Sequence, residues 1–175
     1  MNTGMPFRAG RRAAQTRGFT LLELMMTLTI LGILSAVALP ELSRLVRDQR
    51  IKTATTDVYA ALIYARSEAI KRNLNVAVCA STNGTGCAAS TNWATGWIVF
   101  VDGDADGAPA SAADILRKQD AIGGVTLTGV GTNLSYRRDG RLVATTPNFV
   151  VSGTNVTSRC VRMDVSGRPN VQVGC

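Results

Sequence analysis

Asp102-Gly103-Asp104-Ala105-Asp106-Gly107 places three carboxylates on alternate positions ahead of a glycine, the spacing with which an oxygen-rich loop begins to surround calcium. The twelfth position, where such a loop needs a bidentate glutamate, is Ala113, and Asp114 falls one residue late. A solvated turn rich in Asp and Gly is therefore expected, weak calcium binding being the alternative; no metal site is assigned. The thiols are Cys79, Cys87, Cys160 and Cys175. Their spacings are not C-x-x-C and the chain has no histidine, which favours disulfides over zinc. Four cysteines permit three connectivities, and spacing alone does not choose among them. Pairing of neighbours, Cys79 with Cys87 and Cys160 with Cys175, is expected because each pair brackets a short turn-containing segment. Without histidine, Ser-His-Asp and Cys-His arrangements are impossible, and no G-x-x-x-x-G-K-[ST] phosphate loop occurs. The chain is not expected to be an enzyme, and neither cofactor nor small-molecule substrate is expected.

One more carboxylate stands apart. Glu23 lies within an apolar run, and the sixteen residues that follow it, 24–39, carry no charge. A charge in the middle of a membrane helix costs about 2.5–3.5 kcal/mol on insertion scales, so something should compensate for it. Residues 19–39 form a stretch of twenty-one, which as a helix spans the roughly 30 Å hydrocarbon core of a bilayer. Arg8, Arg11, Arg12 and Arg17 flank it on the N-terminal side and predict that side to be cytoplasmic. After the run comes Pro40-Glu41-Leu42-Ser43-Arg44, with no small-residue cleavage site, so the apolar helix should survive processing.

The junction Gly18-Phe19-Thr20-Leu21-Leu22-Glu23 closely resembles the prepilin signature of type IV pilins and type II secretion pseudopilins. The resemblance implies that prepilin peptidase cuts after Gly18 and removes a leader, 1–18. Phe19 would then be N-methylated, and Glu23 would pair with the N-terminal amine of a neighbouring subunit, biasing assembly toward one stagger. The missing side chain of Gly18 would let the backbone lie close in a peptidase cleft. Between Gly32 and Pro40 the helix often loosens in pilin-like fibres, which makes both residues candidates for subunit flexibility. Prepilin peptidase, other minor and major pilins and the inner membrane are the implied partners.

Elements must carry these groups. Leu42, Leu45, Val46, Ala54, Val58, Ala61, Leu62, Ala65 and Ala69 recur mostly three or four apart among charged residues, predicting an amphipathic helix over 40–72. From 73 onward β-rich runs predict strands near 74–79, 96–101, 125–128, 134–136, 142–144, 149–151, 160–165 and 171–173. Asp139-Gly140 and Ser166-Gly167 are hairpin signals, so the sheet should be mostly antiparallel. The expected fold class is α+β and pilin-like. A transmembrane helix (19–39) continues into an amphipathic helix packed on an antiparallel β-sheet domain (73–175). Trp97 and Phe100 are expected in the core.

The likeness reaches further. Tyr64-Ala65-Arg66-Ser67-Glu68-Ala69, residues 93–100, Ile115-Leu116-Arg117 and Arg138-Asp139-Gly140-Arg141, in that order, are similar to the minor pilins and pseudopilins of the GspH/FimT/FimU group. The resemblance implies a single-pass inner-membrane subunit with its C-terminal domain in the periplasm, later extracted into a pilus fibre or its tip. Three roles fit: a minor pilin that primes assembly and sits near the tip, a tip pseudopilin of a type II secretion system, or a minor pilin that binds double-stranded DNA for uptake. Fold alone does not separate them.

Net charge is +7, but without the four leader arginines fifteen basic residues face twelve acidic ones. From 115 onward the balance is eight basic against three acidic, and Arg137, Arg138, Arg141, Arg159, Arg162 and Arg168 are the candidate DNA contacts. The DNA-binding element of the FimT kind is G-R-x-R; here Gly167-Arg168-Pro169 is followed by Asn170 in place of the second arginine. Asn170 still offers a donor to phosphate.

Overall fold

The computed structural model describes residues 18–129, 131–143 and 147–175. The leader arginines, and Ala144 of the expected strand 142–144, lie outside the described residues. The chain divides into two compact units, the second being Glu41–Cys175.

Helix α1 spans Leu21–Arg72 and contains Pro40. As expected, the apolar helix continues directly into the second helical stretch, and it does so through Pro40. Proline has no N–H for the carbonyl one turn earlier, and the boundary between the two units falls directly after it. The helix ends at Arg72, where Asn73 takes a left-handed φ of 57°. Lys71 and Arg72 in the last turn both pair with Glu68, and they complement the helix dipole.

Within Glu41–Cys175 the buried face of α1 is Ile51, Ala54, Val58, Ala61, Leu62, Ala65 and Ala69. Four alanines keep that face low, so strands can approach closely. Leu42, Leu45 and Val46, expected on the same stripe, are exposed, and burial begins only at Ile51.

Two four-stranded antiparallel sheets cover this face. The first, in order β3-β2-β1-β5, joins β1 (Val76–Ala80), β2 (Trp97–Val101), β3 (Ile115–Gln119) and β5 (Asn133–Tyr136). The second, in order β4-β6-β7-β8, joins β4 (Thr126–Gly129), β6 (Asn148–Ser152), β7 (Arg159–Met163) and β8 (Pro169–Val173). Val76, Val78, Val99 and Tyr136 of the first sheet share one core with Leu127, Phe149, Val151 and Val161 of the second and with α1. Trp93 ties the sheets together: its indole N–H donates to the Gly131 carbonyl at 3.0 Å, and its ring meets Phe149 edge-on at 4.8 Å. The other face of β1 and β2 is also buried, with Ala77, Cys79, Ile98 and Phe100 packed together against Ile115. Such double-sided burial explains why these two strands read as unbroken apolar runs.

Three strand expectations differ from the fold. Residues 142–143 form only an isolated bridge, Leu142 to Tyr136. β7 stops at Met163, and Val165 sits in the turn, 82% exposed. β3 was not expected as a strand; its exposed Arg117 and Lys118 hide the alternation.

Candidate functional site

The N-terminal unit presents its motif on a capped helix. Thr20 precedes the first helical residue, and its Oγ1 accepts a hydrogen bond from the Glu23 N–H at 3.2 Å. Thr20-Leu21-Leu22-Glu23 thus has capping-box spacing, with the carboxylate in the first turn beside the positive end of the helix dipole. This placement offsets part of the cost of a charge at an apolar segment. Thr20 was legible as a cap, from T-x-x-E ahead of an apolar run, but sequence reasoning took it only as part of the motif. Phe19 is 80% exposed, and the large apolar side chains of the first turns are exposed with it. Thr27 and Thr29 donate their hydroxyls to the Leu24 and Met25 carbonyls, so neither polar group needs a partner beyond the helix. The segment is long and apolar enough to cross a membrane. A Cβ added at Gly18 or Gly32 would meet nothing within 4 Å among the described residues, so their packing does not demand glycine at either position.

The second cluster of expected site residues lies on the sheets. The turn after β5 closes with Gly140 N–H to the Arg137 carbonyl and Arg137 N–H to the Arg141 carbonyl. The β7–β8 turn closes with Gly167 N–H to the Asp164 carbonyl. Both glycines have φ of 78°, which L side chains rarely adopt, and the turns abut: a Cβ on Gly167 would overlap the Gly140 carbonyl. Arg66 of α1 fixes the joint by donating its Nε–H to the Gly140 carbonyl at 3.0 Å. Beneath it the Tyr136 hydroxyl is buried without a hydrogen-bond partner among the described residues, and burial pushes the phenol pKa up.

Two arginine-bearing turns are thereby held together. Arg162, Arg168 and Asn170 line one groove of about 470 Å³, with Asp164 between them. The Asp164 carboxylate accepts from the Ser166 hydroxyl and the Arg168 N–H, which holds its pKa below the usual range. Arg137 and Arg138 line a different groove, beside Asp139 and the end of α1. Arg159 is not with either set; it faces α1 beside Lys52 and Tyr59. Arg141 stays in the turn of Arg137 and Arg138, its N–H donating to the Asp139 carboxylate at 3.0 Å, so the expected arginines divide into three places.

Cys79 is bridged to Cys87 and Cys160 to Cys175, with Cα–Cα distances of 5.5 and 5.7 Å. Carboxylate oxygens of Asp102, Asp104 and Asp106 come within 4.8 Å of one another. Asp102 is already engaged by the fold: it is buried, and accepts from the Gly107 N–H at 3.1 Å and the Ser135 hydroxyl at 3.3 Å.

A capped apolar helix running into an α+β domain of antiparallel sheets defines a type IV pilin-like protein, and comparison with solved structures agrees on the fold. Two crystal forms of the type IV minor pilin FimU of Pseudomonas aeruginosa PAO1 match with TM-scores of 0.56 and 0.54. They are 23% and 24% identical, covering 73% and 71% of this chain and 90% and 92% of theirs. The prokaryotic N-terminal methylation motif matches residues 14–39, and the type II transport protein GspH model matches residues 54–167. The chain belongs to the GspH family of minor pilins and pseudopilins. Pilin-like protein PilA1 of Thermus thermophilus is 42% identical over 92 residues, 51% of each protein. The chain thus spans about half the length of that curated relative.

Proposed function

We propose that this chain is a minor pilin of a bacterial type IV pilus that helps to prime assembly and takes a place at the fibre tip. The observation that carries this reading is Glu23 in the first turn of an exposed apolar helix, capped by Thr20 and just beyond the Gly18-Phe19 junction. Cleavage after Gly18 frees the Phe19 amine, which is methylated. The apolar helix then holds the subunit in the inner membrane with its C-terminal domain in the periplasm. Glu23 meets the amine of a neighbouring subunit as the helix leaves the bilayer, a pairing strengthened by low dielectric. Leu42, Leu45 and Val46, exposed beyond Pro40, extend the apolar surface available to neighbouring helices. Glu23→Ala should leave the chain in the membrane yet absent from fibres. Normal recovery of that variant in fibres would refute the assignment. A tip pseudopilin of a type II secretion system is built alike; the genes beside this one distinguish the two.

DNA uptake is a second reading, favoured by the shared groove of Arg162, Arg168 and Asn170. Binding to duplex DNA across a salt series tests it. Arg168→Ala should weaken binding and lower the salt slope by about 1. Absence of binding at low salt leaves these arginines as subunit contacts.

A further inference from the structure

Each sheet has two outer strands, and three of the four are protected. Along β4, the Gly129 N–H donates to the Thr91 carbonyl and Asn92 bridges Thr128. Along β5, the Val143 N–H donates to the Ser135 carbonyl and Leu142 bridges Tyr136. β3 presents exposed Arg117 and Lys118, charges of the kind that blunt an edge. Among the described residues no segment bridges the outer side of β8, and after Pro169 it reads Asn170-Val171-Gln172-Val173, without a charge.

The register of β8 shows which backbone groups it offers. The Gly174 N–H donates to the Ser158 carbonyl at 2.9 Å, and the Asp164 N–H to the Arg168 carbonyl at 3.2 Å. With the β7–β8 pairing, these bonds make the even-numbered residues of β8 the ones bonded to β7. Val171 and Val173 therefore turn N–H and C=O away from the sheet. Pro169 occupies the third outward position, where its missing N–H breaks no bond to β7.

Side chains add a recognition surface. Val171 and Val173 stand opposite Val161 and Arg159, and are 40% and 65% exposed. Between Val171 and α1 lies a groove of about 240 Å³ lined also by Lys52, Thr55, Thr56, Tyr59 and Arg159. Lys52 is paired with Asp48 at 2.6 Å, whereas the Arg159 Nε is buried with no hydrogen-bond acceptor among the described residues. An apolar groove that ends on a guanidinium whose Nε–H has no acceptor among the described residues, with Asp48 near enough to feel its charge, is complementary to an apolar segment bearing a carboxylate. β8 is also ordered in advance: its turn packs on Gly140, and Cys175 just beyond it is bonded to Cys160.

We propose that β8 is a docking edge, to which a neighbouring pilin adds an extended, alternately apolar segment as a further strand, with a carboxylate of that segment on Arg159. Backbone bonds go to Val171 and Val173, and the segment's apolar side chains enter the groove beside Tyr59. This rests on the reading that the chain assembles with other pilins.

The test uses the full chain in its own cells, with a photo-crosslinking benzoylphenylalanine placed at Val173 and, separately, at Leu31 on the apolar helix. The expected product at 173 is an adduct with another pilin, mapped by mass spectrometry to an extended segment containing Asp or Glu. Val171→Pro removes an outward N–H and reshapes the side chain at the groove while leaving the bonds of β8 to β7 in place, so both disulfides and cellular abundance should be retained while the adduct is lost. Arg159→Met should abolish it as well. An adduct with a second copy of this chain, or one that survives both substitutions, overturns the proposal. Adducts to pilins at 31 but none at 173 overturn the docking edge and leave the pilin reading standing; none at either position overturns both.

Discussion

The Gly140 carbonyl lies so close to Gly167 that a Cβ at 167 would overlap it, although the two residues belong to turns of different sheets. With Arg66 holding the same carbonyl from α1, this contact joins helix and both sheets at one point. Gly167→Ala adds a left-handed alanine to a steric overlap with backbone and with the Tyr136 ring. Destabilisation of roughly 2–4 kcal/mol is expected. Denaturant unfolding of the chain in detergent, followed through buried Trp93 and Trp97, measures it.

Tyr136 gives the opposite sign. Its hydroxyl is buried beside this joint with no partner among the described residues, so the fold carries a desolvated polar group with no compensating hydrogen bond there. Tyr136→Phe should be neutral or stabilising by about 1 kcal/mol in the same assay. A loss of stability would show that the hydroxyl is satisfied in solution.

These joints bear on what can be read from a sequence. Asp139-Gly140 and Ser166-Gly167 were legible as turns because each needs a left-handed glycine, but their contact was not. It depends on the packing of two sheets, in which β1 pairs with β5 and β4 with β6 across intervening strands. One sheet domain was therefore expected where two sheets share a core. β3 escaped notice because Arg117 and Lys118, set at its open edge, break the apolar alternation. The N-terminal motif needed no tertiary information, since Gly18, Phe19 and Glu23 lie within one short stretch of chain. The division of the arginines among three places was invisible for the opposite reason.

Acid should loosen the end of α1. The Arg72 guanidinium, and then Lys71, hold the Glu68 carboxyl below its ordinary value of 4.5. A folded-state pKa below the unfolded one means that the unfolded chain binds more protons in that window. The stabilisation is complete above about pH 4.5 and is lost as pH falls through the folded value. Thermal unfolding between roughly pH 6 and 3 should show a falling midpoint that Glu68→Gln flattens; an unchanged slope in the variant would place the acid sensitivity elsewhere.

The Cys160–Cys175 bridge closes a separation of 15 residues around the last hairpin. In the chain-entropy model such a loop contributes about 3 kcal/mol. Cys175→Ser should lower unfolding stability by that order. Hydrogen exchange should rise selectively at the β8 amides bonded to β7, while β1 and β2 stay protected.

The central claim is that the chain enters a pilus after processing at Gly18. The direct measurement is intact mass and N-terminal sequencing of this subunit in sheared, purified pili from cells that express it at native level. The account predicts a low-copy component beginning at methylated Phe19, and its disappearance from the fibres, though not from the membrane, in Glu23→Ala. A chain found only in the membrane, or retaining its leader in the fibre, would contradict it.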